Sequence, residues 1–115
     1  MSPPLSRGNL FAGLPTAPEA AERFDLLAER PGVRIERIVS TGQANPPGFW
    51  YDQPHDEFVV LLAGAATLRL EEGDRTLALG PGDWVELPPR CRHRVEATQA
   101  DPPTVWLAVH VGEVG

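Results

Sequence analysis

The sequence YDQPHDEFVVLLAG, from Tyr51 to Gly64, begins with polar residues and continues as an unbroken apolar run. Alternate side chains of an extended backbone point to opposite faces of a strand. We therefore predict that Tyr51, Gln53, His55 and Glu57 share one polar face, provided that no bulge intervenes. Gly64 marks the end of this strand.

The sequence GDWVELPPRCRHRV, from Gly82 to Val95, alternates in the same way. Its period of two places Cys91, His93 and Val95 on one side and three arginines on the other. These arginines are Arg90, Arg92 and Arg94. We predict that His93 points inward and that it meets Glu57 at a matching depth inside one rolled sheet.

The length and composition indicate one soluble domain. A chain of 115 residues is long enough for a single core but not for a separate substrate domain. With 42% hydrophobic residues, 23% charged residues and a net charge of -6, it is typical of globular proteins and does not favour nucleic acid as a partner. The single cysteine, Cys91, excludes a disulfide framework and a CxxC zinc site, and we expect an inert buried thiol.

The location of the protein is predicted from what the sequence lacks. No apolar stretch approaches the roughly 20 residues that span a bilayer, and the first residues do not form a basic region followed by an apolar one. We therefore expect a cytoplasmic protein that makes no membrane contact.

The first 32 residues are predicted to form an arm and a short α-helix that pack on the main domain. Residues 2–15 are rich in proline but carry apolar side chains, which we expect to contact the protein's own barrel or a second subunit. Thr16 to Glu19 resembles a capping box, and a helix from about Ala17 to Arg30 is predicted to end at Pro31-Gly32. Its apolar stripe consists of Ala20, Phe24, Leu27 and Ala28.

From Val33 to the end of the chain, residues 33–115, the pattern is that of strands only. Seven or eight short apolar segments alternate with turns rich in glycine, proline and aspartate. Regular spacing of this kind is typical of a closed or sandwiched antiparallel sheet. We therefore predict an all-β domain.

The stretch that ends at Gly64 is similar to the first motif of the cupin superfamily, G-x5-H-x-H-x3-E-x6-G. Glu57 and Gly64 match this motif in register. Asn45 stands in place of the first glycine, Tyr51 in place of the first histidine and Gln53 in place of the second.

The stretch that begins at Gly82 is similar to the second cupin motif, G-x5-P-x-G-x2-H-x3-N. Gly82, Pro88 and His93 match it, whereas Arg90 replaces the second glycine and Ala97 the asparagine. Together the resemblance covers about residues 33–111. It implies a jelly-roll barrel, also called a double-stranded β-helix, whose two motifs surround a mononuclear metal.

The resemblance also implies a set of ligands for a divalent metal such as iron, nickel, manganese or zinc. Glu57 and His93 stand at ligand positions of the motifs, and Gln53 and His55 are the next candidates. The sequence Gln53-Pro54-His55 resembles the Gln-x-His pair through which phosphomannose isomerases of the same superfamily bind zinc. A carboxylate and an imidazole are common ligands of such metals.

Two functions remain open from the sequence. The first is a metal-dependent oxygenase, lyase or isomerase in which Tyr51 or His55 moves a proton. The second is a metal-free barrel that binds or senses a small polar molecule, with Glu57 and His93 as a buried pair. His110 is predicted to be a surface or hydrogen-bonded histidine, or otherwise to line the pocket. We expect a homodimer, because the apolar arm and the sheet edges need cover.

Overall fold

The structure, a computed structural model, describes residues 3–112. Its strands are β1 (Arg23–Arg30), β2 (Val33–Ser40), β3 (Asp56–Ala63), β4 (Ala66–Leu70), β5 (Arg75–Leu79), β6 (Trp84–Leu87), β7 (His93–Thr98) and β8 (Thr104–Val111). A short 3-10 turn, Glu72–Asp74, joins β4 to β5. The predicted all-β architecture is confirmed. In residues 3–112 no helix is long and apolar enough to cross a membrane.

The strands form two antiparallel sheets. The larger has the order β1-β2-β8-β3-β6 and the smaller the order β5-β4-β7. Strands β3 and β4 alternate buried and less buried residues, as in β3, where Glu57, Val59 and Leu61 are buried. This is the result that a period of two requires when only one face of a sheet meets the core.

The core lies between the two sheets and draws on both. Leu61 and Ala108 of the larger sheet are fully buried, and they belong to one apolar cluster with Leu68 and Leu79 of the smaller sheet. Burying one such leucine contributes roughly 2 kcal/mol. The cluster therefore joins the two sheets into one barrel.

The predicted α-helix from Ala17 to Arg30 is wrong, because residues 23–30 form strand β1. Arg30 pairs with Val33, so Pro31-Gly32 is the turn of a hairpin and not the end of a helix. Gly32 has a φ of 78°, which suits the second central position of a type II turn after proline. The apolar residues of this segment also fit a period of two, and pairing with β2 selects it.

The arm is held to the barrel by its middle part. The Arg37 guanidinium on β2 donates hydrogen bonds to the carbonyls of Leu10 and Ala12 at 3.1 and 2.7 Å. Leu5 is 81% exposed, so the beginning of the arm lies away from the barrel. The exposed edge strand β1 carries Phe24 and other apolar side chains, and the expected homodimer stays a prediction.

Three strands of the larger sheet bring polar side chains to one level of the barrel. Arg34 on β2 pairs with His110 on β8, and His110 pairs with Glu57 on β3. Residues paired across neighbouring strands share a face of the sheet. The sheet therefore presents a row of three ionisable side chains to the barrel interior.

Candidate functional site

A cavity of about 320 Å³ lies inside the barrel, and both sheets line it. Its apolar wall includes Ile38, Val59, Leu68, Leu87, Val95 and Trp106. Its polar and ionisable lining residues are Glu22, Arg34, Glu36, Tyr51, Gln53, Glu57, His93 and His110. An apolar chamber with a few convergent polar groups is the usual form of a small-molecule site.

Glu57 and His93 meet inside this cavity, as the sequence predicted. Glu57 lies on β3 and His93 begins β7, with 9% and 5% of their surfaces exposed. The His93 Nε2 atom lies 3.7 Å from Glu57 Oε1. That distance is too long for a hydrogen bond. Two polar groups thus face each other across a gap.

The tautomer of the neutral His93 ring follows from the contact of its other nitrogen. His93 Nδ1 lies 2.8 Å from the Cys91 carbonyl oxygen, which can only accept, so Nδ1 carries the hydrogen. In the neutral ring Nε2 is then an acceptor, like the carboxylate of Glu57 that it faces. Two acceptors at this separation favour donors between them, and since one hydroxyl group carries a single hydrogen, two neighbouring hydroxyl groups of a ligand would satisfy both.

Gln53 and Tyr51 surround the pair. Gln53 Nε2 donates to Glu57 Oε1 at 2.9 Å. The Tyr51 backbone bridges to His93, with Tyr51 N donating to the His93 carbonyl at 2.7 Å, and the two rings stack with centroids 5.3 Å apart. Burial, followed by the charge of Glu22, raises the pKa of Tyr51. The phenol therefore stays protonated near neutral pH and acts as a hydrogen-bond donor.

His55 does not line the cavity, although it has the same parity as Glu57. Strand β3 begins only at Asp56, and Tyr51 pairs with His93 on the other sheet. The chain therefore changes direction between Tyr51 and Asp56, and the predicted common face holds for Tyr51, Gln53 and Glu57 alone. His55 is buried against His110, and its roles as metal ligand or proton carrier stay predictions.

A chain of hydrogen bonds that the sequence did not predict runs from His55 through His110 to Glu36. His110 Nε2 lies 3.0 Å from Glu36 Oε1, and His110 Nδ1 lies 2.9 Å from His55 Nε2. Because a carboxylate accepts, we assign the hydrogen of His110 to Nε2, and His55 Nε2 then donates to His110 Nδ1. His110 is thus both hydrogen-bonded and part of the cavity wall.

The inward face of strand β2 was not predicted from the sequence. Val33 and Ile35 are the apolar residues in the first half of this strand, but the residues that line the cavity are Arg34, Glu36 and Ile38. The signal that could have revealed this is His110, because a buried histidine needs hydrogen-bond partners, and Glu36 supplies one of them. Charged residues on an inward face break the hydrophobic pattern on which strand prediction depends.

The side chains present do not complete a divalent metal site. Catalytic metal sites commonly use three protein ligands, and residues 3–112 contain no group of three His, Cys, Asp or Glu side chains that could hold an ion. Glu57 and His93 supply two, while Gln53 is bonded to Glu57 and His55 faces His110. The predicted iron, nickel, manganese or zinc stays a prediction.

Cys91 lies outside the cavity lining and is half-buried. Burial, followed by the charge of Glu72, raises the pKa of its thiol. A raised pKa lowers the fraction of thiolate, which is the reactive form. The expectation of an inert thiol agrees with this environment.

We predict that His55 makes the stability of the protein depend on pH. Burial, followed by the charge of His110, lowers the pKa of His55 in the folded state. The unfolded chain therefore binds a proton near pH 6.5 before the folded protein does. The free energy of unfolding should fall as the pH drops below about 6.5, by at most about 1.4 kcal/mol per pH unit from this group.

The variant His55→Gln tests this prediction, because its amide can still donate to His110 but cannot titrate. Urea denaturation at a series of pH values should show a flatter loss of stability below about pH 6.5 than in the parent. Identical pH profiles for the variant and the parent would show that His55 is not the titrating group.

Comparisons with known proteins agree with this architecture. The family model described as "Cupin domain" matches residues 38–110. A solved structure from Ralstonia eutropha JMP134, named a "putative mannose-6-phosphate isomerase", is 49% identical, covers 94% of this chain and 99% of its own, and has a TM-score of 0.90. A search of curated proteins gave no match.

More distant structures share the fold. A cupin superfamily protein from Desulfitobacterium hafniense DCB-2 is 21% identical over 94% of this chain and 93% of its own, with a TM-score of 0.74. KdgF from Halomonas sp. is 19% identical over 84% of each chain, with a TM-score of 0.69. At these identities the likeness concerns the fold alone.

Proposed function

The chain belongs to the cupin superfamily, and we propose that its barrel binds a small hydroxylated molecule in the cavity, between Glu57 and His93. The single observation that carries this proposal is the 3.7 Å gap between Glu57 Oε1 and His93 Nε2. Both atoms accept hydrogen bonds when His93 is neutral, and neither can satisfy the other. Two neighbouring hydroxyl groups of a ligand supply the missing donors.

The rest of the cavity supports a ligand of this kind. A volume of about 320 Å³ is at the lower end of the range for small-molecule pockets. Tyr51 lines the cavity as a protonated phenol and can donate to a ligand oxygen. Val59, Leu68 and Val95 give apolar walls against which a carbon skeleton can pack. The relative named a "putative mannose-6-phosphate isomerase" is consistent with a molecule rich in hydroxyl groups.

The pair also has the composition of an acid and a base. A carboxylate and an imidazole that contact one ligand atom can take a proton from it and return the proton elsewhere. Gln53 holds the Glu57 carboxylate and the Cys91 carbonyl holds the His93 ring, so both groups are fixed before a ligand arrives. The pair is therefore suited to a proton transfer that needs no metal.

We expect Glu57→Gln and His93→Gln each to weaken ligand binding roughly 10- to 100-fold, because each removes one charge-assisted or well-aligned hydrogen bond. A panel of small polyols, hydroxy acids and sugars, screened by the rise in melting temperature, provides the ligands. Titration calorimetry on the strongest ligand gives the affinities.

The matched control is Glu86→Gln. Glu86 pairs with Phe58 across β6 and β3, is exposed and lies outside the cavity lining. It should bind the ligand as the parent does. Unchanged affinity in both cavity variants would remove the proposed function, and an equal loss in the control would show a general effect of charge.

The second candidate keeps the divalent metal and the oxygenase, lyase or isomerase activity that the resemblance implies. It is favoured by the spacing of the pair, since two ligands at about 2.1 Å from one tetrahedral ion lie about 3.4 Å apart. Elemental analysis of protein purified without an affinity tag separates the two candidates. We expect much less than one metal per chain, and no rise in melting temperature with iron, nickel, manganese or zinc.

A full complement of metal in the parent, lost in both Glu57→Gln and His93→Ala, would favour the second candidate instead. Retention of metal by either variant would show that the ion lies elsewhere. Circular dichroism of both variants checks that the barrel still folds.

A further inference from the structure

Arg34 is the cation of the cavity wall that lacks a partner. It lies on β2, lines the cavity, and has a buried Nε atom with no hydrogen-bond partner in residues 3–112. A guanidinium carries five N–H donors in a fixed fork. A buried donor left unpaired is unfavourable, so its presence points to a partner other than the groups of residues 3–112.

The three carboxylates of the cavity are each engaged with other groups. Glu22 accepts from the Ser40 hydroxyl, Glu36 from His110 and Glu57 from Gln53. None of these three carboxylates forms a hydrogen bond or an ion pair with Arg34 within residues 3–112. The buried Nε of Arg34 thus stays unpaired although acids line the same chamber.

The place of Arg34 relative to the pair is set by the sheet. Arg34 and Glu57 flank His110 on either side, two strand spacings or about 10 Å apart. Both side chains line the same cavity. One small molecule can therefore contact Arg34 with one end and Glu57 with the other.

We propose that Arg34 binds an oxyanion group of the ligand, a carboxylate or a phosphate, while hydroxyl groups of the same molecule lie between Glu57 and His93. This inference rests on the proposed function and adds the charge of the ligand to it. The planar fork of a guanidinium binds both oxyanions through two parallel hydrogen bonds.

The opposite charges of Arg34 and Glu57 favour one orientation of the ligand. An oxyanion next to Glu57 would meet a like charge, whereas at Arg34 it meets an opposite one. The anionic end therefore lies at β2 and the hydroxyl end at β3. A ligand with an anionic group at both ends is disfavoured by the same reasoning.

The Nε–Hε resonance of Arg34 in protein labelled with nitrogen-15 tests the inference without any substitution in the measured protein. Titration with inorganic phosphate and, separately, with acetate should shift this resonance until it saturates, and the tighter of the two identifies the preferred oxyanion. The resonance is assigned to Arg34 because it is missing from the spectrum of the Arg34→Lys variant. If neither anion moves the resonance, the inference is wrong.

Variants give the energetic test. Arg34→Gln should weaken binding of the effective anion roughly 10- to 100-fold, and Arg34→Lys should weaken it less because the charge remains without the fork. Arg30→Gln is the control, since Arg30 is exposed on the neighbouring strand and lies outside the cavity lining. Parent-like affinity in Arg34→Gln overturns the inference.

The outcome is separable from that of the proposed function. Uncharged polyols that bind the parent and Arg34→Gln equally, but do not bind Glu57→Gln, would support the proposed function. If anions then bind no better than these polyols, the inference of an anion site at Arg34 is wrong. Anions whose affinity falls in Arg34→Gln but not in Glu57→Gln would support the anion site and remove the proposed function.

Discussion

Gly64→Ala is expected to destabilise the barrel by about 4 kcal/mol. Gly64 has a φ of 86°, and a Cβ atom there would lie 2.6 Å from Thr104 Oγ1 and 2.7 Å from Thr104 Cα. Thr104 is fully buried and begins β8, so it has no room to retreat. Urea denaturation followed by circular dichroism measures the loss.

The control for this prediction is Gly82→Ala. Gly82 has a similar φ of 92°, but a Cβ atom there would meet nothing within 4 Å. Its cost should be that of the backbone conformation alone, about 1 kcal/mol. Equal losses in the two variants would mean that the close approach to Thr104 contributes nothing to the requirement for glycine at position 64.

Trp106→Ala is the second substitution with a large expected effect, a loss of about 4 kcal/mol. Trp106 is 3% exposed, lines the cavity, and donates from Nε1 to Ser40 Oγ at 3.1 Å. Truncation enlarges the cavity and removes the donor to the hydroxyl that itself contacts Glu22. Chemical denaturation gives the loss of stability, and calorimetry should show weaker ligand binding as well.

Trp84→Ala is the matched control, at an exposed tryptophan. Trp84 is 62% exposed and stacks on Phe58 with ring centroids 5.3 Å apart. Loss of this surface pair should cost about 1 kcal/mol. If Trp106→Ala were tolerated as well as Trp84→Ala, the cavity wall would not belong to the core of the barrel. Since domains are typically stable by only 5–15 kcal/mol, roughly, the difference is easily measured.

The meeting of Glu57 and His93 could be predicted from the sequence because each residue follows a clear alternation of its own strand. Both residues also stand at the ligand positions of the two cupin motifs, and the side chains at those positions point into one cavity. Glu57 and His93 are buried and face each other, as expected. Local pattern and tertiary structure agree here, which is the condition for prediction to succeed.

The N-terminal strand could not be predicted in the same way. Residues 17–30 contain the spacing of a helix stripe, while Phe24, Leu26 and Ala28 among them also fit an alternation of two, and nothing local separates the two patterns. The choice is made by pairing with β2, a contact whose register depends on the Pro31-Gly32 turn. Short segments of this kind are decided by tertiary context rather than by propensity.

The polar face of β2 was missed for a related reason. Arg34 and Glu36 are charged, and charged residues in a strand are usually assigned to solvent. In this barrel both side chains line the cavity, where Glu36 accepts a hydrogen bond from His110. Functional sites are the places where burial and polarity depart from the ordinary pattern.

The parity of His55 shows the limit of reasoning by alternation alone. Counting by twos from Glu57 placed it in the cavity, but the chain bends before β3 begins, and the side chain turns to His110. The alternation of β3 begins at Asp56 and therefore does not extend to His55. Tyr51 and Gln53 still reach the cavity because Tyr51 pairs with His93.

A crystal structure of the protein with the strongest ligand of the screen tests the central claim most directly. The proposed function predicts hydroxyl groups of the ligand within hydrogen-bond distance of Glu57 and of the Nε2 atom of His93. A ligand that occupies another part of the barrel, with neither side chain in contact, would contradict it.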